Sequence, residues 1–232
     1  MEPETPQEET NHEVRPAPRL WMGYVIPMVA FVLLTAGEGM LPKSWYLGLY
    51  TAKACVTAAL LILYRSVWKD IRPDWRVLPI AILVGIAVFF EWIFVDRITP
   101  HFALLGARTG FDPNTIQEPL LRVCFVAVRL TGLAILVPIM EELFWRSFLL
   151  RWLTDPDFAK IPMGTFSWGA FAMVAGAFGL AHPEWLAGIL CGVIYSLLLR
   201  KTKSLLACIV AHAVTNLALG IYILGTHQWY FW

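Results

Sequence analysis

Seven apolar stretches run through this chain, at about 20–37, 45–64, 77–95, 123–140, 163–181, 185–199 and 204–225. A helix that crosses the roughly 30 Å hydrocarbon core of a bilayer needs about 20 apolar residues, within a range near 17–25. Six stretches reach that length. The stretch 185–199 is the short one, extended at its start by Pro183 and Glu184. Runs this long, without the ten-residue alternation of a barrel strand, specify helices, because only helices and closed barrels satisfy the backbone in lipid. Composition agrees: 58% of residues are hydrophobic and 15% charged, far from the pattern of a water-soluble monomer. A net charge of +1 gives no electrostatic footprint for a nucleic acid. The expected fold is all-α, a polytopic membrane bundle of seven or eight transmembrane segments, and no internal repeat is visible.

Residues 1–19 are polar, with five Glu and four Pro. They read as a disordered tail ahead of a single membrane domain at 20–232. The acidic start is the wrong n-region for a cleavable signal peptide, so the first apolar run is expected to anchor the chain. Lys and Arg cluster in alternate connections: 65–76, 151–160 and 200–203 are rich, as is the tail, whereas the other set has only Lys43, Arg97 and Arg108. The positive-inside rule then places the N-terminus in the cytoplasm. The segment from Glu118 to Trp152 is ambiguous. It reads either as one helix near 50 Å, kinked or broken at Pro138, or as two pieces, of which 119–137 is a span, an interfacial helix or a re-entrant piece. The four cysteines (55, 124, 191, 208) form no C-x-x-C motif and read as small buried hydrophobes.

Ionisable residues inside apolar runs are costly and point to function unless they are paired. Glu38 reads as an interfacial group and Lys53 as a snorkelling side chain. Glu91 is deep, and an ion pair with Arg129 or Arg122 is its structural reading. His12, His101 and His227 lie in the tail or loops and receive no role. Three clusters remain. Glu142 and Arg146, at i and i+4, face each other on a helix. Glu141, rotated by about 100°, points elsewhere. Phe178 and His182 share a face, and His182 ends its helix before Pro183. His212 and Asn216 are i and i+4 in a strongly apolar helix.

Glu-Glu-x-x-x-Arg at 141–146, Phe-x-x-x-His at 178–182 and His-x-x-x-Asn at 212–216, in that order on apolar helices, resemble the CAAX-protease and bacteriocin-processing family of intramembrane glutamate proteases. Pro138 ahead of the acid pair, and the basic turn from Arg200 leading to Asn216, look like the surroundings of the family's motifs. The resemblance covers about 119–220. Ser147 stands where the family often has Gly. The compact length and the Trp- and Tyr-rich first half also resemble the bacterial subgroup associated with exosortases.

The resemblance implies an intramembrane endopeptidase of the CAAX prenyl protease type, in a bacterial inner membrane. Its substrate would be a membrane-associated protein or peptide, with or without a lipid attached. Glu141 would be the general base, helped by His182; His212 and Asn216 would hold the oxyanion; Glu142 and Arg146 would support the helix. The roles of Glu141 and Glu142 stay interchangeable on sequence. The chemistry needs no cofactor, since a desolvated carboxylate is a good base. Zinc held by Glu and two His is a rival, although no H-E-x-x-H is present. A non-enzymatic scaffold or immunity protein glued by its polar groups is another. A transporter fits less well, because no pair of broken helices recurs in matching halves.

Overall fold

The computed structural model describes residues 20–100 and 110–232. The tail 1–19, with His12, and the position of His101 lie outside the described residues. Every regular element among them is helical. Seven apolar runs build the bundle: α1 (Met22–Met40), α2 (Tyr46–Leu63), α3 (Leu78–Ile98), α4 (Pro119–Trp152), α5 (Trp168–Leu180), α6 (Trp185–Thr202) and α7 (Leu205–Thr226). All except α5 are long and apolar enough to cross a membrane. The chain is thus an integral, multi-pass membrane protein.

The short segment is not the one expected. A turn through Pro162 and Gly164, the latter at φ +79°, delays α5 until Trp168, which leaves 13 residues. At its other end α6 continues through Arg200 and Lys201. Cations suit the negative end of a helix, so the basic turn lengthens the helix instead of ending it. Lys203, at φ 54°, then closes it in the left-handed region.

Helix α4 is one continuous 34-residue run, and Pro138 does not break it. The helix absorbs the proline by changing register. Gly132–Leu136 and Leu143–Leu149 are π-helical, and they bracket the α-helical turn Val137–Glu142. The N–H of Val137 reaches back five residues to the Gly132 carbonyl. The next bond in that register would run from residue 138 to Leu133, and proline has no N–H. The Leu133 carbonyl is therefore available to a side chain. Single π turns of this kind recur where helices carry function.

Two close helix pairs fix the interior, α3 against α7 and α5 against α6. Glycine permits both. A Cβ on Gly85 would stand 2.5 Å from the Ala211 carbonyl, and one on Gly188 would stand 2.9 Å from the Gly179 Cα. Small residues let helix backbones approach in this way within membranes. Large apolar side chains such as Leu33, Leu83, Phe94 and Ile221 face outward, as a lipid-facing surface requires. Cys191 and Cys208 are buried, but Cys55 and Cys124 are exposed. Lipid is as apolar as a core, so burial was not needed to explain them.

Three charges differ from expectation. Glu38 and Lys53 form an ion pair with side chains 8% and 5% exposed, so Lys53 turns to a partner instead of snorkelling. Lys53 also donates to Thr35 Oγ1 at 3.2 Å and lies 5.0 and 4.9 Å from the ring centres of Phe31 and Tyr50. The α1–α2 hairpin brings the two charges together, and a paired charge is cheaper in lipid than two lone ones. Arg129 does not meet Glu91. It donates to the Tyr46 hydroxyl and sits 4.4 Å from the Tyr50 ring and 5.1 Å from that of Trp232, so aromatic faces take the charge.

Candidate active site

The site is built outward from Glu142 on α4. Its side chain and that of Arg146 are fully buried, and Arg146 Nη1 donates to Glu142 Oε1 at 3.0 Å. The same oxygen lies 2.9 Å from His212 Nδ1 on α7. A carboxylate thus joins two helices through one atom. The Arg146 guanidinium stacks on Phe178 of α5, 4.3 Å from its ring centre, and lies 5.4 Å from Tyr195 of α6. Phe178 is 6.3 Å from the His212 ring and 4.7 Å from the His182 ring. One aromatic ring therefore separates the two histidines.

His182 sits two residues past the end of α5, where its Nδ1 lies 2.7 Å from the Phe178 carbonyl. Trp92 of α3 packs edge-on against it at 5.5 Å. A carbonyl only accepts, so Nδ1 carries the proton and Nε2 presents its lone pair. Asn216 lies one turn beyond His212. Its Nδ2 donates to the Leu133 carbonyl at 2.9 Å, the group that Pro138 left without a helical partner. One amide hydrogen is used in that bond and the second remains. The π register of α4 and the asparagine of α7 are thus two halves of one arrangement.

Glu141 is 6% exposed, inside the bundle, and its Oε2 is buried without a partner. The structure thereby separates the two acids by their bonds: Glu142 is tied to an arginine and a histidine, and Glu141 is bonded to nothing among the described residues. The buried Oε2 of Glu142 and the Nε and Nη2 of Arg146 also lack partners. Among the described residues, no group of three His, Cys, Asp or Glu side chains could hold a metal ion. Glu142 and His212 are two donors without a third.

Several neighbours were not singled out in the sequence. The Tyr195 hydroxyl bonds Thr215 Oγ1 at 2.7 Å, and Thr215 donates to the Gly85 carbonyl at 2.8 Å. This chain positions α7, and so His212, between α3 and α6. The signal was a tyrosine in an apolar helix, whose hydroxyl needs a partner when buried. Glu91 is the larger surprise. Both of its carboxylate oxygens are buried and neither has a partner.

Residues 123–218 match the family model described as type II CAAX prenyl endopeptidase Rce1-like. No curated protein and no solved structure matches the chain significantly. The matched segment runs from near the start of α4 to the second half of α7 and contains all three motifs. Glu141, Glu142, Arg146, His182, His212 and Asn216 all lie within the segment that is similar to the type II CAAX prenyl endopeptidase Rce1-like model.

Proposed function

We propose that this protein is an intramembrane endopeptidase in which Glu141 activates water for attack on a peptide bond. One observation carries the reading: of two adjacent buried acids, Glu142 is tied down, and Glu141 Oε2 is buried with no partner among the described residues. A bundle held together by polar glue has no use for the second acid, whereas a hydrolase needs it as a base. Glu141 takes a proton from water, with the lone pair of His182 Nε2 as its helper. The water oxygen bonds to the carbonyl carbon. The resulting oxyanion accepts from His212 and from the second amide hydrogen of Asn216. Such preorganised donors are worth roughly 100- to 1000-fold each in rate. The C–N bond then breaks, and the leaving amine receives the proton taken from water. Glu142 and Arg146 hold the helix face.

The substrate is a membrane-associated protein or peptide, lipidated near the bond that is cut, and the chain works without a cofactor. It sits in a bacterial inner membrane with its N-terminus in the cytoplasm, the side to which the basic connections belong. The test is capture of uncleaved protein by Glu141→Ala in native membranes, beside hydrolysis of a quenched fluorescent peptide with a prenylated cysteine. Substrate should accumulate on the variant and the peptide should be cut by the unaltered enzyme, with or without a chelator. Loss of cutting on chelation, restored by zinc, would replace the glutamate mechanism with a metal one. No cutting and no capture would remove the proteolytic reading.

A further inference from the structure

A carboxylate oxygen can accept hydrogen bonds and cannot give one. Glu142 Oε1 already accepts from Arg146 at 3.0 Å and lies 2.9 Å from His212 Nδ1, with the two side chains of the His–Glu pair 6% and 0% exposed. Nδ1 must therefore bear a proton whenever this contact exists. No described residue takes His212 Nε2.

We infer that Glu142 is a positioning residue that fixes the tautomer of His212, so that His212 can donate from Nε2 into the site only as an imidazolium. Neutral His212 held in this way presents a lone pair at Nε2, which repels an oxyanion. The doubly protonated ring presents an N–H there, and Glu142 balances its charge. The oxyanion donor is then a cation, and charge-assisted hydrogen bonds are roughly twice as strong as neutral ones. The proton on Nε2 is shared with the oxyanion and is not transferred. When the carbonyl re-forms and the C–N bond breaks, the leaving nitrogen takes its proton from Glu141 or His182.

His212 and His182 therefore hold the same tautomer for different ends. His182 bonds a backbone carbonyl, has no carboxylate partner, and offers its Nε2 lone pair as a base. The groups that face His212 are few. Helix α4 brings Glu142, with Arg146 behind it, and carries Glu141 as the residue next to Glu142. Helix α6 brings Tyr195, 5.5 Å away ring to ring, whose hydroxyl is taken by Thr215. Helix α5 brings the uncharged Phe178. Helix α3, which packs on α7, carries Glu91, whose two oxygens have no partner among the described residues. On α7 itself, Cys208 donates to the Tyr195 carbonyl at 3.3 Å.

The effect on rate rests on the hydrolytic reading, but the tautomer does not. Full-length protein with ¹⁵N-labelled histidine in lipid nanodiscs gives the first measurement, with the His212 signal identified by its loss in His212→Gln. At alkaline pH the neutral ring should carry its proton on Nδ1, and on acidification both nitrogens should be protonated. A neutral ring protonated on Nε2 would overturn the inference, whether or not the protein cuts peptides. The second measurement is the pH profile of prenylated-peptide cleavage. The unaltered enzyme should lose about tenfold per pH unit once Nε2 deprotonates. The double variant Glu142→Gln/Arg146→Gln removes the charge pair together, and the glutamine amide can donate to Nδ1, which releases a neutral Nε2–H ring. Its alkaline limb should disappear or move upward by a pH unit or more. An unchanged limb in a folded double variant would sink the positioning role. Failure of both enzymes to cut would count against the proteolytic reading alone, and the nitrogen spectra would still decide the tautomer.

Discussion

Helix α4 carries two polar knots, and they differ in how completely they are closed. The first uses Ser147 and Arg151. Asp70 Oδ2 accepts from the Tyr24 hydroxyl at 2.8 Å, from Ser147 Oγ at 2.5 Å and from Arg151 Nη2 at 2.6 Å. Arg151 also donates to Ser147 Oγ and to the Ser147 and Ile161 carbonyls, so each of its nitrogens has a partner. The second knot uses Glu142 and Arg146, with His212. It leaves one carboxylate oxygen and two guanidinium nitrogens without partners, next to the unbonded Glu141. The closed knot is the more exposed of the two, at 14% for Asp70, while the open one is at 0% for both partners. Cost runs the other way, since unsatisfied groups are dearest where burial is deepest. A bundle optimised for stability would close the inner knot first. An open inner knot is what the proposed function expects, since sites of chemistry yield stability to function.

The largest effect expected is on turnover. Glu141→Gln preserves shape and removes the base, and should lower prenylated-peptide cleavage by roughly 100- to 10,000-fold. Its melting temperature should stay close to that of the unaltered protein, because no bond is lost. Should Glu141→Gln prove unstable, and Glu142→Gln stable yet inactive, the two acids would exchange roles. Full cleavage by both would show that neither glutamate is the base.

Next comes the open knot itself. Glu142→Gln leaves Arg146 without its counter-charge at zero exposure, and breaking a buried pair typically costs about 3–5 kcal/mol. Denaturation of detergent-solubilised protein should register that loss, with partial recovery in Glu142→Gln/Arg146→Gln. If the single variant were as stable as the parent, Glu142 would not be holding the helix.

The closed knot should behave in the opposite sense. Asp70→Asn keeps acceptors for Tyr24 and Ser147 but unpairs Arg151, with some relief from solvent. A cost of about 1.5–3 kcal/mol follows from losing a hydrogen bond to a charged group. Activity per folded molecule should remain within about twofold. A variant that stayed stable but stopped cutting would erase the distinction between the knots.

The sequence held part of this contrast. The apolar runs pointed to five of the six helices long enough to span, and the i, i+4 spacing paired Glu142 with Arg146 and Phe178 with His182, because both are local properties of a helix. Contacts between helices were another matter. His212 is 70 positions from Glu142 and Lys53 is 15 from Glu38, and such pairings depend on crossing angles that no spacing encodes. Asp70 drew no attention in a polar connection, where charges are ordinary. Ser147 was noted only as a departure from the family's glycine, yet its hydroxyl is part of the closed knot. The link from Pro138 through Leu133 to Asn216 was hidden because a proline in a helix suggests a break, and a π register is the rarer answer.

The smallest effect expected tests which side of the contrast Glu91 belongs to. Its two oxygens are buried without partners, the signature of the open region, while its helix packs beside both α6 and α7. A group that has lost water and gained nothing costs about 1–3 kcal/mol. Leucine has nearly the same volume and no such debt. Glu91→Leu should therefore raise the denaturation midpoint by an amount within that range, where most buried substitutions lower it. Cleavage of the prenylated peptide gives the second reading. Trp92, the next residue, packs on His182 at 5.5 Å, so a Glu91 that serves the site should give a variant more stable and less active. A variant more stable and equally active would leave Glu91 an unpaired charge outside the site. A less stable variant would mean that Glu91 has a partner in the membrane, and the open region would then be confined to α4 and α7.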